Sequence, residues 1–294
     1  MQLILAPLHG FTDSTFRNVY FNHFHALDEA MAPFISLTHA DKITPLKVRE
    51  VLPVNNHFKA LIPQILGNET SEFILLCNYL SDELGYTEVN WNLGCPIRGI
   101  VNKKRGSGIL PYPELIDRLL SEIIPSIRLK LSVKLRLGLN SADEFPAVID
   151  VLNKFPLSNI TLHPRIGVQQ YEGTVMLDEF ERMLPLIHHK LIYNGDIHTY
   201  DQFVAISHRF PAISSFMLGR GIFHNPFLPE MIRERKSQLP DGAEERYFMY
   251  YRELEDTIKT EKHFWMSKMK EYWKYFGAFV QVDEKNLLEL LAVV

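Results

Sequence analysis

Residues 87–96 read Thr-Glu-Val-Asn-Trp-Asn-Leu-Gly-Cys-Pro, and in this stretch a strand leads directly into a tight turn. The alternation of apolar and polar side chains over 87–91 predicts a β-strand. Gly94 and Pro96 flank Cys95 and hold it in a defined turn at the end of that strand. A side chain at such a strand end is fixed by the scaffold and can still reach a ligand.

Cys95 has two interpretations from sequence alone. Most free cysteines are small buried side chains without chemistry, and Cys77, inside the apolar run 73–77, fits that description better. The loop after Cys95 is strongly basic, which suits a polyanionic partner. Its cations are Arg98, Lys103, Lys104 and Arg105.

Length and composition limit the protein class. The 294 residues fit one large domain, or a large one with an appendage, and 46% hydrophobic content allows a substantial core. Two cysteines exclude a disulfide framework and favour a cytoplasmic protein. A net charge of −4 excludes a generally basic surface, so nucleic-acid binding would need local patches. No signal peptide is expected, because the apolar N-terminus lacks a basic leader and is interrupted by Pro7 and His9. No membrane span is expected, because no uninterrupted apolar run reaches about 18 residues.

Strand and helix patterns alternate along most of the chain. The predicted strands lie near 2–6, 28–32, 61–66, 87–92, 131–137, 159–163, 190–194 and 215–219. The predicted helices lie near 14–25, 44–50, 69–81, 113–124, 143–153, 178–187, 199–208 and 223–236. Eight such alternations predict an α/β fold of the (β/α)8 TIM-barrel type. A doubly wound open sheet is the alternative, and the absence of G-x-G-x-x-G after the first strand weakens it.

The pattern changes after residues 237–242, which read Ser-Gln-Leu-Pro-Asp-Gly and indicate a linker. Beyond them the apolar residues follow only helical spacing. We therefore predict a TIM-barrel catalytic domain over 1–238 and a small all-helical domain over 239–294.

Polar residues follow nearly every predicted strand, and in a barrel these strand ends meet at one mouth. Taken singly each side chain has a structural explanation, but their convergence favours an active site. The strand-end residues include His9, Gln64, Asn92, Cys95, Lys134, His163, Asn194 and Arg220.

The last two strands predict a phosphate site. Both end in glycine-containing loops, 194–196 and 219–221, and Arg220 adds a guanidinium. Loops at these two positions form the recurring phosphate site of this fold. Lys134 suits a delocalised anion, and Gln64 offers both a donor and an acceptor. This combination suits the pyrimidine side of a reduced flavin, although not a flavin alone.

The strand ends resemble, in order, those of the tRNA-dihydrouridine synthase family of flavin-dependent barrel enzymes. The matching segments span residues 6 to 226, so the resemblance covers almost the whole predicted barrel. They are Ala6–Asp13 with Phe16-Arg17, Pro63–Gly67, Asn92–Pro96 with Gly106-Ser107-Gly108, Lys134–Gly138, His163-Pro164-Arg165 with Gln169–Gly173, Asn194–Asp196, and Gly219–Gly221 with Asn225-Pro226.

The resemblance implies FMN as cofactor and NADPH, or NADH, as reductant. Reduced FMN would deliver hydride to C6 of a uridine in tRNA, and Cys95 would protonate C5. A thiol suits this task because an unperturbed cysteine has a pKa of about 8.5 and is mostly protonated at neutral pH. The implied cofactor-binding residues are Pro7, Leu8, Gln64, Lys134, His163, Asn194, Gly195, Asp196, Gly219 and Arg220.

The implied partner is tRNA, and neither a metal nor a membrane is expected to take part. The predicted substrate contacts in the barrel are Asn92, Arg98, Lys104, Arg136, Arg165 and Tyr171. The segment from Lys259 to Lys274 contains five lysines, two glutamates and several aromatic residues. From this stretch we predict RNA contacts by Lys268, Lys270 and Lys274, although a solvated amphipathic helix would show the same pattern.

Two other functions remain open at this point. An FMN-dependent barrel oxidoreductase could act on a free pyrimidine or an enone, but the basic loop and tail would then lack a purpose. A non-catalytic barrel could bind tRNA without redox chemistry, but Cys95, Lys134 and the phosphate loops would then be unexplained.

Overall fold

The computed structural model describes residues 1–37, 43–261 and 265–280, with the side chains of 261 and 276–280 left out. In these residues nine parallel strands form one sheet. They are β1 (Gln2–Leu5), β2 (Glu29–Met31), β3 (Leu61–Ile62), β4 (Gln64–Ile65), β5 (Glu88–Leu93), β6 (Lys130–Gly138), β7 (Ile160–Ile166), β8 (Leu191–Tyr193) and β9 (Ser215–Leu218). The strand order is β3-β2-β1-β9-β8-β7-β6-β5-β4.

β3 and β4 are two halves of one strand position, separated by Pro63. Proline has no N–H and interrupts a strand ladder. β3 pairs with β2 on one side, whereas β4 pairs with β5 on the other. The two ends of the sheet therefore meet at Pro63 and close a barrel with eight strand positions. This confirms the predicted barrel and its eight strands, and the open sheet is wrong.

Helices cover the outside of the barrel. They are α1 (Ser14–His23), α2 (Thr70–Asp82), α3 (Arg98–Val101), α4 (Pro113–Ile123), α5 (Phe145–Leu152), α6 (Leu177–Met183), α7 (Tyr200–Arg209), α8 (Arg220–His224), α9 (Leu228–Glu234), α10 (Ala243–Glu261) and α11 (Trp265–Val280).

Two predicted helices differ from the structure, and a proline explains each difference. Residues 44–50 form turns followed by one 3-10 turn at Arg49–Val51, because Pro53 holds Leu52 in an extended conformation. The predicted helix 223–236 is broken after α8. Pro226 similarly holds Asn225 extended, so α8 ends at His224 and α9 begins at Leu228, after three intervening residues.

Apolar side chains fill the barrel below the strand ends. A buried cluster separate from the main core lies on alternate residues of the strands, as side chains pointing to the barrel interior do. Its members are Ile4, Ala6, Met31, Ile62, Ile192 and Met217. This packed interior provides a floor, so ligand access is confined to the mouth.

The last two helices pack against the barrel itself. α10 contacts α1, and α11 contacts α8. At the mouth Tyr272 donates a hydrogen bond to the carbonyl of Phe11 at 2.6 Å, and Lys268 forms an ion pair with Asp13 at 3.3 Å. The C-terminal helices are therefore confirmed, while the domain boundary at 238/239 stays a prediction. Residues 281–294 of that predicted domain lie outside the described residues.

None of the helices in the described ranges has the length and apolar character needed to cross a membrane.

Candidate active site

Two connected cavities open at the carboxyl ends of the strands. The inner cavity, of about 60 Å³, lies against the loops after β8 and β9, and the outer cavity, of about 350 Å³, lies against the turn that contains Cys95. Six residues line both cavities. They are Pro7, Leu8, Lys134, His163, Tyr171 and Arg220. The predicted cofactor residues other than Gln64 all line the inner cavity.

Asp196 pairs with both arginines at the inner cavity. Its carboxylate accepts hydrogen bonds from Arg165 at 2.5 Å and from Arg220 at 2.8 Å. Burial alone would raise the pKa of Asp196, but the imidazole of His198 at 3.8 Å, the hydrogen bonds from Arg165 and the charges of the two arginines hold it well below its usual range. Asp196 is therefore ionised, and it holds Arg220 at the cavity wall.

Arg165 lies behind this wall. It is only 1% exposed and also donates to the carbonyl of Gly173 at 2.6 Å. A guanidinium buried this deeply and paired with Asp196 orients its neighbours. This burial and pairing argue against the predicted substrate contact of Arg165 and favour a positioning role.

Lys134 and His163 lie between the two cavities. Lys134 makes no hydrogen bond or ion pair with any described residue, and burial followed by the charge of Arg136 lowers its pKa to about 7. Burial and the charges of Lys134, Arg136 and Arg165 hold the pKa of His163 well below its usual value. His163 is therefore neutral, and its Nε2, 3.0 Å from Arg165, accepts from that guanidinium.

Asn92 builds the turn that contains Cys95. Its side-chain oxygen accepts from the backbone N–H groups of Gly94 at 3.0 Å and Cys95 at 2.9 Å. Gly106 has a φ of +57°, and a Cβ there would lie 2.5 Å from the carbonyl oxygen of Cys95. Glycine is thus required for the close approach that lets Ser107 donate to the same carbonyl. The thiol consequently occupies a fixed place at the wall of the outer cavity.

The two cysteines differ as the sequence suggested. Cys77 is 1% exposed in α2. Cys95 is partly exposed and lines the outer cavity. Burial raises the pKa of the Cys95 thiol, while the N–H of Ile97 and the charges of Arg136 and Lys134 partly oppose that shift. The thiol is therefore protonated at neutral pH and is a proton donor rather than a nucleophile.

Gln64 is buried below the cavities and lines neither of them. Its amide donates to Asn90 at 2.8 Å and accepts from Asn92 at 2.8 Å. The sequence showed its strand-end position but not that neighbouring strands would use its amide. Its predicted contact with a flavin ring would require this network to open.

Tyr171 lies between two guanidiniums at the shared edge of the cavities. Its ring centroid is 5.4 Å from Arg136 and 5.2 Å from Arg220, within reach of cation–π contacts. Arg136 also donates to the carbonyls of Gly94 and Gln170 at 3.0 and 2.6 Å. Arg136 thereby links the Cys95 turn to the loop that presents Tyr171, and both side chains line the outer cavity as predicted substrate residues should.

Sequence reasoning missed several residues of the site. Tyr275 of α11 lines the outer cavity beside Phe11 and Phe223, at ring distances of 5.7 and 5.6 Å. Phe34 lines it too, stacked on His9 at 5.0 Å. No motif indicates these contacts, because they join segments far apart in the chain. His198, missed as well, lines the inner cavity.

The basic loop is partly free and partly fixed. Arg98 and Lys104 are exposed, as an RNA contact requires. Arg105 is instead held by Asn68 at 2.7 Å and by Glu72 at 3.7 Å, so it anchors the loop.

The tail lysines have different environments. Lys268 faces Asp13, which argues against its predicted phosphate contact and makes it an anchor of α11. Lys274 pairs with Glu271 at 3.0 Å, and Lys270 is exposed. Residues 262–264 of this stretch lie outside the described residues.

Comparison with known proteins agrees with this geometry. The profile of the dihydrouridine synthase family matches residues 4–284, nearly the whole chain. The chain belongs to the dihydrouridine synthase family.

Curated relatives are similar at lower identity. A probable tRNA-dihydrouridine synthase of Staphylococcus epidermidis is 27% identical over 241 residues, which cover 76% of this chain and 69% of that protein. The tRNA-dihydrouridine synthase B of Pasteurella multocida is 25% identical over 233 residues, which cover 77% and 67%.

Solved structures share the fold of this dihydrouridine synthase family member. The old yellow enzyme from Trypanosoma cruzi aligns with a TM-score of 0.56 at 11% identity, covering 85% of this chain and 92% of that one. Morphinone reductase aligns at 0.52 and 12% identity, covering 82% and 88%. At these identities the likeness concerns the barrel alone.

The site fits the flavin that the family uses together with a nicotinamide reductant. The inner cavity offers a guanidinium and glycine backbone to a phosphate, and the side chain of Lys134 lines the same cavity. By contrast, no group of three or more metal-ligating side chains occurs within the described parts of the chain.

Proposed function

We propose that this family member is a tRNA-dihydrouridine synthase that binds FMN and uses NADPH to reduce the C5–C6 double bond of uridines in tRNA. The observation that supports this most directly is the shared wall of the two cavities. Lys134 and His163 border both the phosphate loops and the cavity of the Cys95 thiol. Cofactor-binding groups and a proton donor thus face one space.

The inner cavity would hold the phosphate and the outer cavity the redox ring and the base. Asn194, Gly195, Gly219 and Arg220 would bind the phosphate, with Asp196 holding Arg220 in place. Lys134 would face the ring from the shared wall. When bound, the flavin supplies the hydride that C6 of the uridine receives.

Cys95 supplies the proton to C5. Its raised pKa keeps the proton on Sγ until the base is in place. The charges of Arg136 and Lys134 and the N–H of Ile97 favour the thiolate and so stabilise the product of that transfer. The same groups thereby lower the free energy of the proton transfer without ionising the resting thiol.

A uridine within tRNA must leave its stack to enter this cavity, as other enzymes that modify bases require. The exposed cations Arg98, at the start of α3, and Lys104, in the turn after α3, follow Cys95 and would contact the adjoining RNA backbone. Tyr171 and Arg136, which also line the outer cavity, would contact the base. Both cysteines are free, which supports the cytoplasm as the compartment.

The test is to purify the full chain and incubate it with NADPH and an unmodified tRNA transcript. We expect bound FMN, dihydrouridine in the digested tRNA by mass spectrometry, and slower turnover with NADH. Free uridine is the control substrate. Comparable reduction of free uridine would favour a small-molecule reductase, and tRNA binding without any dihydrouridine would favour a non-catalytic binder.

A further inference from the structure

His198 borders the inner cavity without an assigned task. It follows β8, its side chain is 26% exposed, and its Nε2 lies 3.8 Å from the carboxylate of Asp196. On its other side the ring of His224 approaches edge-on, with centroids 5.3 Å apart. An imidazole thus stands where a phosphate is expected to bind.

The backbone that carries this imidazole is held in place. The N–H of His198 donates to the side chain of Gln202 at 2.8 Å, within the capping box that begins α7. Gly221 of α8 lies so close that a Cβ there would be 2.1 Å from the carbonyl oxygen of Ile197 and 3.1 Å from Cα of His198. The loop therefore has little freedom to turn His198 away.

The fixed positive charge of the inner cavity is too small to neutralise the negative charge of a phosphate. One carboxylate, Asp196, pairs with two guanidiniums, Arg165 and Arg220, which leaves one positive charge. A phosphate monoester has a charge close to −2 above its second pKa of about 6. About one further positive charge is needed at the phosphate end.

The other titratable neighbours do not supply that charge there. His163 is neutral, and Lys134 is only partly charged near neutral pH because burial and the charge of Arg136 lower its pKa to about 7. Burial and the nearby His198 and Arg220 lower the pKa of His224, whose far side contacts the ring of Tyr275. The phenol of Tyr171, between Arg136 and Arg220, is the remaining titratable group at this wall.

We propose that His198 is a phosphate-binding residue that takes up a proton when a phosphate-bearing flavin enters the inner cavity. This inference rests on the proposed function, since it assumes that the cavity binds the cofactor phosphate. A neighbouring dianion favours the imidazolium form. His224 remains neutral beside it, so the two rings do not repel each other. FMN affinity should therefore increase as the pH falls from 8.5 to 6.5, while riboflavin affinity should lack this phosphate-dependent increase.

The test is calorimetric titration of FMN and of riboflavin into the full-length, flavin-free protein at pH 7.5. Buffers with different protonation enthalpies give the number of protons taken up. Riboflavin lacks the phosphate but presents the same ring to Lys134, so the difference between the two flavins isolates the phosphate end. We expect FMN to take up about 0.5 to 1 proton more than riboflavin.

Two substitutions separate His198 from other groups. His198→Asn should remove that extra uptake and weaken FMN roughly tenfold, with riboflavin unchanged. His208→Asn, on the exposed face of α7, is the matched control and should behave as wild type. If His198→Asn fails to fold, His198→Gln and the pH series of the wild type provide the same comparison.

The outcomes are distinct. If neither flavin binds the wild type, the proposed function fails. If FMN binds but takes up no more protons than riboflavin, or the excess persists in folded His198→Asn or His198→Gln protein, the inference about His198 is overturned. Loss of the excess in the His198 variant alone supports it.

Discussion

The inner and outer cavities share a wall but are built differently. The proposed phosphate end of the inner one is formed by the loops after β8 and β9, which the ion pair of Asp196 with Arg220 joins, and Asp196 also pairs with Arg165 of β7. The outer one gathers Cys95, Phe34 and Tyr275 from three distant parts of the chain. We conclude that the phosphate end depends on local loop structure and charge, whereas the base end depends on how the barrel and α11 pack together.

The largest expected effect belongs to the outer cavity. Cys95→Ala should reduce dihydrouridine formation by about 10²- to 10⁴-fold, the usual contribution of a general acid, with bound FMN retained. The measurement is dihydrouridine per tRNA after fixed incubation. Cys77→Ala is the matched control and should keep wild-type activity, because Cys77 is buried in α2. Near wild-type product from Cys95→Ala would remove the thiol from the mechanism.

Removing the guanidinium that lines the inner cavity should weaken cofactor binding rather than slow proton transfer. Arg220→Ala should weaken FMN binding roughly 10- to 100-fold, because charged hydrogen bonds are lost. Asp196 keeps its ion pair with Arg165, so the fold should persist. Fluorescence titration with FMN and riboflavin measures this, and only FMN should be affected. Arg209→Ala, on the outer surface of α7, is the control, and equal losses for both flavins would place the phosphate elsewhere.

Tyr275 tests whether α11 belongs to the base end. Tyr275→Ala should raise the KM for tRNA about five- to tenfold, because a stacking surface at the cavity is lost. FMN affinity should stay unchanged. Phe248→Ala on α10, an exposed aromatic away from the cavity, is the control. An unchanged KM would show that α11 only covers the barrel.

Lys134 should destabilise the flavin-free protein. Its folded pKa of about 7 lies below its ordinary value of 10.5, so the unfolded chain binds more protons between these limits. Stability therefore rises with pH across that window, and the cost of Lys134 is greatest below pH 7. Lys134→Met should raise the melting temperature of flavin-free protein by about 2–4 °C at pH 6.5 and by much less near pH 10. A lower melting temperature at pH 6.5 would contradict this.

The smallest effect concerns the surface lysines of α11. Replacing Lys270 by Ala should reduce the slope of log tRNA affinity against log salt by at most about 0.7–0.9, one phosphate contact. Lys274→Ala should act less, since Glu271 already pairs with that ammonium. Binding titrations at several salt concentrations measure both. If both variants show the wild-type slope, these lysines do not contact RNA, and the tRNA contacts would lie at Arg98 and Lys104.

The sequence predicts which residues meet at the mouth of the barrel, because these residues follow the ends of the strands. Asn194, Gly195 and Arg220 follow adjacent strands, so fold knowledge alone brings them together, and the structure places them in one cavity. Prolines account for the two differences from the predicted helices at 44–50 and 223–236, since Pro53 and Pro226 hold the residues before them extended.

Side-chain partners from distant segments could not be predicted. The sequence pattern predicts an RNA contact for Lys268, but the structure pairs it with Asp13, more than 250 residues away in sequence. Arg165 and Gln64 looked like ligand contacts because strand-end position does not reveal which polar groups neighbouring strands satisfy. Tyr275 was missed for the same reason, since its place depends on the docking of α11.

The most direct test of the division between the two cavities follows the half-reactions separately. In anaerobic stopped-flow mixing, wild type and Cys95→Ala should be reduced by NADPH at the same rate. On mixing the reduced proteins with tRNA, the wild type should reoxidise and form dihydrouridine, while Cys95→Ala should reoxidise at least about 100-fold more slowly. Equal reoxidation rates, or equal slowing of both half-reactions, would contradict the assignment of cofactor reduction and base protonation to separate parts of the site.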